Sequence, residues 1–168
     1  MCSTSKDSFS FSFFYNNIEK LILKRSSYIN ESKLITYGAE FSSIIRPFPS
    51  WIQEINFSLL RYDEKRSSTK LYEEPDNSIL IKESVNLPLG LNFTYKALWK
   101  DSCISFDRQD NEHELPAYWL HSILINKKIN RFKFAFGLTN IFDTYYEQEY
   151  GFPGEGINFS FSVEVEVF

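Results

Sequence analysis

The sequence predicts an all-β protein, an antiparallel up-and-down meander of about eight long strands. Three observations carry this. Apolar and polar residues alternate with period two over long segments, which gives each strand two different faces. The connections between these segments are alternately short and long. The 17 Phe, 10 Tyr and 3 Trp supply much of the apolar face, whereas Met occurs once.

In chain order, Ser8 to Tyr15 sets Phe9, Phe11, Phe13 and Tyr15 against three serines. Glu19 to Leu23 has the pattern of a helical turn, but Asn16-Asn17 and Ser26-Ser27 bracket it as a loop or bent strand. Leu34 to Ile45 is a weaker strand. Trp51, Ile55, Phe57 and Leu59 then share one face, opposite Glu54, Asn56 and Ser58. Ser78 to Leu87 precedes the clear alternation of Leu91, Phe93, Tyr95, Ala97 and Trp99 with Asn92, Thr94, Lys96 and Lys100. Ala117 to Asn126 leads to Phe132, Phe134, Phe136 and Leu138, which alternate with Arg131, Lys133, Ala135 and Gly137. The last strand alternates Phe159, Phe161, Val163, Val165 and Val167 with Ser160, Ser162, Glu164 and Glu166.

Short connections fall at Arg46 to Ser50, Asn86 to Gly90 and Lys127 to Asn130; long polar ones run from Asp63 to Asn77, Asp101 to Glu114 and Asp143 to Glu155. A meander puts alternate connections at the same end, so one rim carries tight turns and the other long loops. Most strands reach the roughly 9 to 11 residues that a tilted membrane strand needs.

Composition narrows the function classes. A net charge of −4 gives no basic footprint for nucleic acid. No segment approaches the roughly 18 apolar residues of a spanning helix, which leaves strand-built membrane proteins open. Cys2 and Cys103 are too few for a disulfide framework and read as unpaired bystanders. Met1 to Asp7 shows no apolar core of an export signal. Two arrangements satisfy the alternation. A soluble sandwich or barrel turns the rings inward, whereas a membrane barrel turns them to lipid and its Ser, Asn, Thr, Lys and Glu to a wet lumen. Eight strands leave little interior room for so many rings.

The closing third carries a specific resemblance. Leu115-Pro116-Ala117-Tyr118, then Phe136 to Tyr146, then Gly151 to Phe159, resembles the C-terminal strands of TonB-dependent outer-membrane receptors. Asn140, Phe142, Asp143, Tyr146, Gly151, Pro153, Gly156, Phe159 and Phe168 occupy the positions of the family's motif. Upstream, Phe13 to Ile22 and Tyr37-Gly38-Ala39-Glu40-Phe41 follow the family's order more loosely. The sequence departs at Ile157, where the family has Arg, and at Phe168, which is out of phase with Val163, Val165 and Val167.

The resemblance implies the last eight or so strands of a transmembrane β-barrel of about 22 strands, the plugged size class. Residues 1–168 then form a partial barrel without plug or signal peptide. The implied location is the cell outer membrane of a Gram-negative type of cell. The implied partners are its lipid, the rest of the barrel and plug, the barrel-assembly machinery, and TonB through a part missing from this chain. The implied activity is uptake of a large scarce solute of the iron-siderophore, haem or cobalamin class. A complete small barrel that binds an apolar ligand or acts structurally is the alternative.

No catalytic, metal or cofactor pattern emerges. Asn140 and Asp143 read as Asx residues that end a strand. His113 lies in a polar loop without convergent ligands, and His121 is the second of only two histidines. Glu73, Glu74, Asp76, Asp107, Asp110 and Glu147 read as loop charges. Tyr145, Tyr150 and Phe152 suit either an interfacial aromatic belt or a ligand-contacting loop, and the belt is the favoured reading.

Overall fold

The computed structural model describes residues 7–24, 28–63 and 72–166. Eight strands form one antiparallel sheet: β1 (Ser8–Lys24), β2 (Tyr28–Phe48), β3 (Trp51–Tyr62), β4 (Asn77–Leu87), β5 (Leu91–Lys100), β8 (Tyr118–Ile129), β9 (Phe132–Thr139) and β12 (Asn158–Val165). Their order follows the chain, so the sheet is the expected meander. Four short strands stand outside it as two hairpins, β6 (Cys103–Phe106) with β7 (Glu112–Leu115) and β10 (Glu147–Glu149) with β11 (Phe152–Pro153).

Two details sharpen the sequence reading. The Glu19 to Leu23 segment takes the bent-strand alternative rather than the helical turn or the loop: β1 runs through it, bent at Lys20 (φ 60°), and stays paired with β2 to Lys24↔Tyr28. The long connections at 101–117 and 140–157 are not featureless, because each folds a hairpin. Pairing overrides local turn propensity in the first case; in the second, strands of two to four residues are too short to register as alternation.

Cross-strand pairing carries one apolar face across the whole sheet. Phe11↔Phe41, Phe41↔Phe57, Phe57↔Ile79 and Ile79↔Trp99 lie side by side, as do Trp99↔Trp119, Ile125↔Phe136 and Phe136↔Phe161. All three tryptophans, Trp51, Trp99 and Trp119, are on this face. The other face is polar and internally bonded. Lys82 Nζ donates to Glu54 at 2.9 Å, Asn92 to Asn86 at 2.8 Å, and Lys133 to Glu164 at 3.3 Å.

Such a sheet has almost no core. The buried apolar side chains among the described residues are Leu34, Ile35, Ala97, Leu115 and Tyr146, while Phe13 is 82% and Phe159 77% exposed. The accessible surface is 11859 Å², against roughly 8,600 Å² for a globular monomer of this mass. β1 and β12 do not pair with each other, so the sheet is open and both edges present unpaired backbone groups. The aromatic face is therefore uncovered, and the edge strands β1 and β12 each have one unpaired side.

Short turns mark one rim. Pro49-Ser50 joins β2 to β3, with Phe48 stacked on Trp51 at 6.1 Å. Pro88–Gly90 joins β4 to β5 with left-handed Leu89, and Asn130 (φ 52°) opens the β8–β9 turn. The opposite rim carries the long connections and the candidate site.

Candidate functional site

Three long connections converge at that rim into one lobe. Residues 72–76 come from the β3–β4 connection, the β6–β7 hairpin from the next, and the β10–β11 hairpin from the third. Ser105, fully buried, ties them together. Its hydroxyl donates to Glu73 Oε1 at 3.1 Å and accepts the Tyr150 backbone N–H at 3.0 Å. Glu73 N–H also donates to the Ile104 carbonyl at 2.8 Å. Rings close the seams: Tyr72 packs on Phe106 at 4.2 Å, and His113 stacks on Tyr150 at 3.7 Å with an interplanar angle of 11°.

Asp107 organises the β6–β7 turn. Its carboxylate accepts the backbone N–H of Gln109 and Asn111, the Asn111 side-chain amide, and His113 Nε2 at 3.1 Å. These bonds, that of the Asn111 side chain foremost, hold the carboxyl well below the usual range. Cys103 lies in the same lobe, where burial and then Glu73 push its thiol up from the ordinary value.

The third connection is anchored by Asn140, which is buried. Its side-chain amide donates to the carbonyls of Thr144 (2.9 Å) and Glu155 (3.0 Å), and its Oδ1 accepts Thr144 N–H at 2.9 Å. Asp143, left-handed at φ 51°, accepts the Ile157 N–H at 3.0 Å, and a Cβ on Gly156 would lie 2.9 Å from its Oδ1. Tyr146 is buried against Tyr118 and leaves no room for a side chain at position 154. Gly151 (φ 79°) turns β10 into β11, where Pro153 pairs with Glu147. Phe142 meets the His121 ring edge-on at 4.9 Å, and Phe159 lies on the apolar face of the last strand. Phe168 lies outside the described residues.

The three aromatics singled out for a belt or a ligand separate. Tyr145 is 73% exposed, and its hydroxyl donates to Glu147, which raises the phenol and lowers the carboxyl. Tyr150 and Phe152 line a cleft of about 690 Å³ with Glu73, Phe106, Arg108 and Glu149. Trp99 and Trp119, 6.4 Å apart, lie on the apolar face at this rim, where Trp119 also stacks on His121 at 5.8 Å. Sequence reading missed Ser105 and Arg108, although the turn-forming run Asp107-Arg108-Gln109-Asp110-Asn111 could have shown the hairpin.

The lobe offers rings and carboxylates around a cleft, a surface suited to binding. No group of three or more His, Cys, Asp or Glu among the described residues is arranged to hold a metal.

No protein-family model and no curated protein matches the chain. Solved structures do. The pyoverdine outer-membrane receptor FpvA of Pseudomonas aeruginosa PAO1 superposes with a TM-score of 0.72 at 19% identity over 96% of this chain. Its fold is that of a TonB-dependent receptor barrel segment. The ferric-catecholate import receptor Fiu of E. coli K12 matches this receptor-barrel fold at 0.74, with 17% identity over 96% of the chain. The FrpB iron transporter of Neisseria meningitidis matches at 0.74, with 12% identity over 95%. The chain spans about a quarter of these proteins: 27%, 25% and 29% of their lengths.

Proposed function

We propose that the chain supplies barrel wall and outer loops to a TonB-dependent receptor of a Gram-negative outer membrane. The receptor imports a large scarce solute of the iron-siderophore, haem or cobalamin class. The open eight-strand sheet carries this reading: one face is aromatic, the other polar, and its fold is shared with iron and siderophore receptors along nearly all of the chain. Further barrel strands continue from the free edges of β1 and β12, and a plug fills the lumen. TonB acts through that plug, and the barrel-assembly machinery inserts the wall.

In this arrangement short turns face the periplasm and the lobe faces outward. The cleft beside Tyr150 and Phe152 takes part in cargo capture, while Tyr145 joins Trp99, Trp119 and Phe142 near the headgroup boundary. The role is passive and non-enzymatic: the wall and lobe hold and orient, and the gate lies elsewhere in the receptor. The bare edges of β1 and β12 disfavour a closed small barrel.

Uptake tests the reading. In cells producing the receptor with this segment, removing residues 101–117 and 140–157 should abolish uptake of one labelled cargo among ferric siderophores, haem and cobalamin. Unchanged uptake of all three, with the rest of the receptor inserted normally, refutes it.

A further inference from the structure

Glu83 lies on the apolar face, where a carboxylate is unexpected. Its pairing partners there are Gln53 on β3 and Tyr95 on β5, and along its own strand it lies between Ile81 and Val85. Both carboxylate oxygens are held: Trp51 Nε1 donates to Oε2 at 2.5 Å and Gln53 Nε2 donates to Oε1 at 2.6 Å. Both donors are neutral. Among the described residues no Lys, Arg or His pairs with this carboxylate. One residue away on the polar face, Lys82 pairs with Glu54 at 2.9 Å.

The depth is informative. Trp51 follows the Pro49-Ser50 turn, and Glu83 pairs two residues further in, about 7 Å along the strand. The stacked Phe48 and Trp51 rings suit a headgroup boundary. A carboxylate there, fixed in direction and without an ion-pair partner among the described residues, is placed to receive a cation from outside the chain. A cation with N–H donors fits best, since the oxygens keep free lone pairs, and the neighbouring Trp51 and Tyr95 rings favour positive charge.

We infer that Glu83, Trp51 and Gln53 form a site for the primary ammonium headgroup of a phospholipid, of the ethanolamine type, at the short-turn rim. This rests on the reading that the apolar face meets lipid. A quaternary choline group carries the charge without the N–H donors, so the site discriminates between the two headgroups.

The test uses the full chain with Trp99→Phe and Trp119→Phe, leaving Trp51 as reporter, folded into phosphatidylglycerol vesicles. A small equal fraction of acyl-brominated phosphatidylethanolamine or phosphatidylcholine serves as quencher. The expected result is about threefold higher association of the ethanolamine lipid, the order of one partly exposed ion pair. Glu83→Gln should abolish the preference, while Glu54→Gln should keep it. Equal quenching by both lipids, or a preference that survives Glu83→Gln, overturns the site yet leaves the lipid-facing reading intact. Absence of quenching by either lipid overturns both.

Discussion

Gly38 provides a demanding test of the β1–β2–β3 register. It pairs with Phe14 on one side and Leu60 on the other, and a Cβ there would fall 2.1 Å from the Leu59 carbonyl oxygen and 2.5 Å from Phe14 Cζ. The ring can swing aside, but the carbonyl belongs to the β2–β3 ladder and cannot move without breaking it. Overfilling of well-packed sites costs roughly 1–3 kcal/mol; because backbone must shift, Gly38→Ala should reach about 3 kcal/mol. Gly137→Ala is the control, since its Cβ would crowd the Ser160 hydroxyl, at 2.7 Å, which rotates away, and would meet the end of Leu124 at an ordinary 3.8 Å. There the lower entropy of the unfolded chain offsets the crowding, and the net change should stay within about 0.5 kcal/mol. Urea unfolding of the vesicle-inserted chain, followed by Trp fluorescence, measures both. Equal losses, or less than about 1 kcal/mol at Gly38, refute the register.

Other outcomes follow from the two faces and the lobe. Ile81→Lys puts a charge in the middle of the apolar face and should cost about 2–4 kcal/mol in vesicle unfolding, whereas Ser84→Lys on the polar face should cost under about 1 kcal/mol; similar costs contradict the face assignment. Asn140→Ala removes three hydrogen bonds at a buried hub, so it should destabilise the third connection by about 2–4 kcal/mol, read as faster protease cleavage within 141–157 with the sheet intact. Because the folded-state carboxyl of Asp107 is lowered, its stabilisation of the β6–β7 turn is present above its ordinary pKa of about 3.9 and lost as pH falls below it. Protection of the Gln109 and Asn111 amides, taken relative to their intrinsic exchange at each pH, should therefore fall under acid in the native chain. In Asp107→Asn it should be low already at neutral pH, and unchanged protection would remove Asp107 from this role.

Much of the fold was legible because period-two alternation is a local signal with a long reach. Phe159, Phe161, Val163 and Val165 determine one face of β12 without reference to any partner, and the alternating connection lengths give the meander. What escaped depends on distant contacts. Ser105 meets Glu73 and Tyr150 across 32 and 45 residues of chain, and nothing near Ser105 signals that junction. β1 passes Asn16-Asn17 because pairing with β2 outweighs turn propensity, with Asn16 itself bonded to Thr36 at 3.3 Å. In the closing motif, residue types that suit turns, Asn140, Asp143 and Gly151, were readable. The mutual fit of Tyr146 and Gly154 needed coordinates.

In the proposed receptor the sheet crosses the outer membrane with its lobe outside and its short turns in the periplasm. Membrane-impermeant maleimide labelling tests it directly, in Cys2→Ser, Cys103→Ser chains carrying either Gln109→Cys in the β6–β7 turn or Arg131→Cys in the β8–β9 turn. The account predicts labelling at position 109 in intact cells, and at 131 only after the outer membrane is permeabilised. Labelling at 131 with protection at 109, or of both positions alike in intact cells, would contradict it.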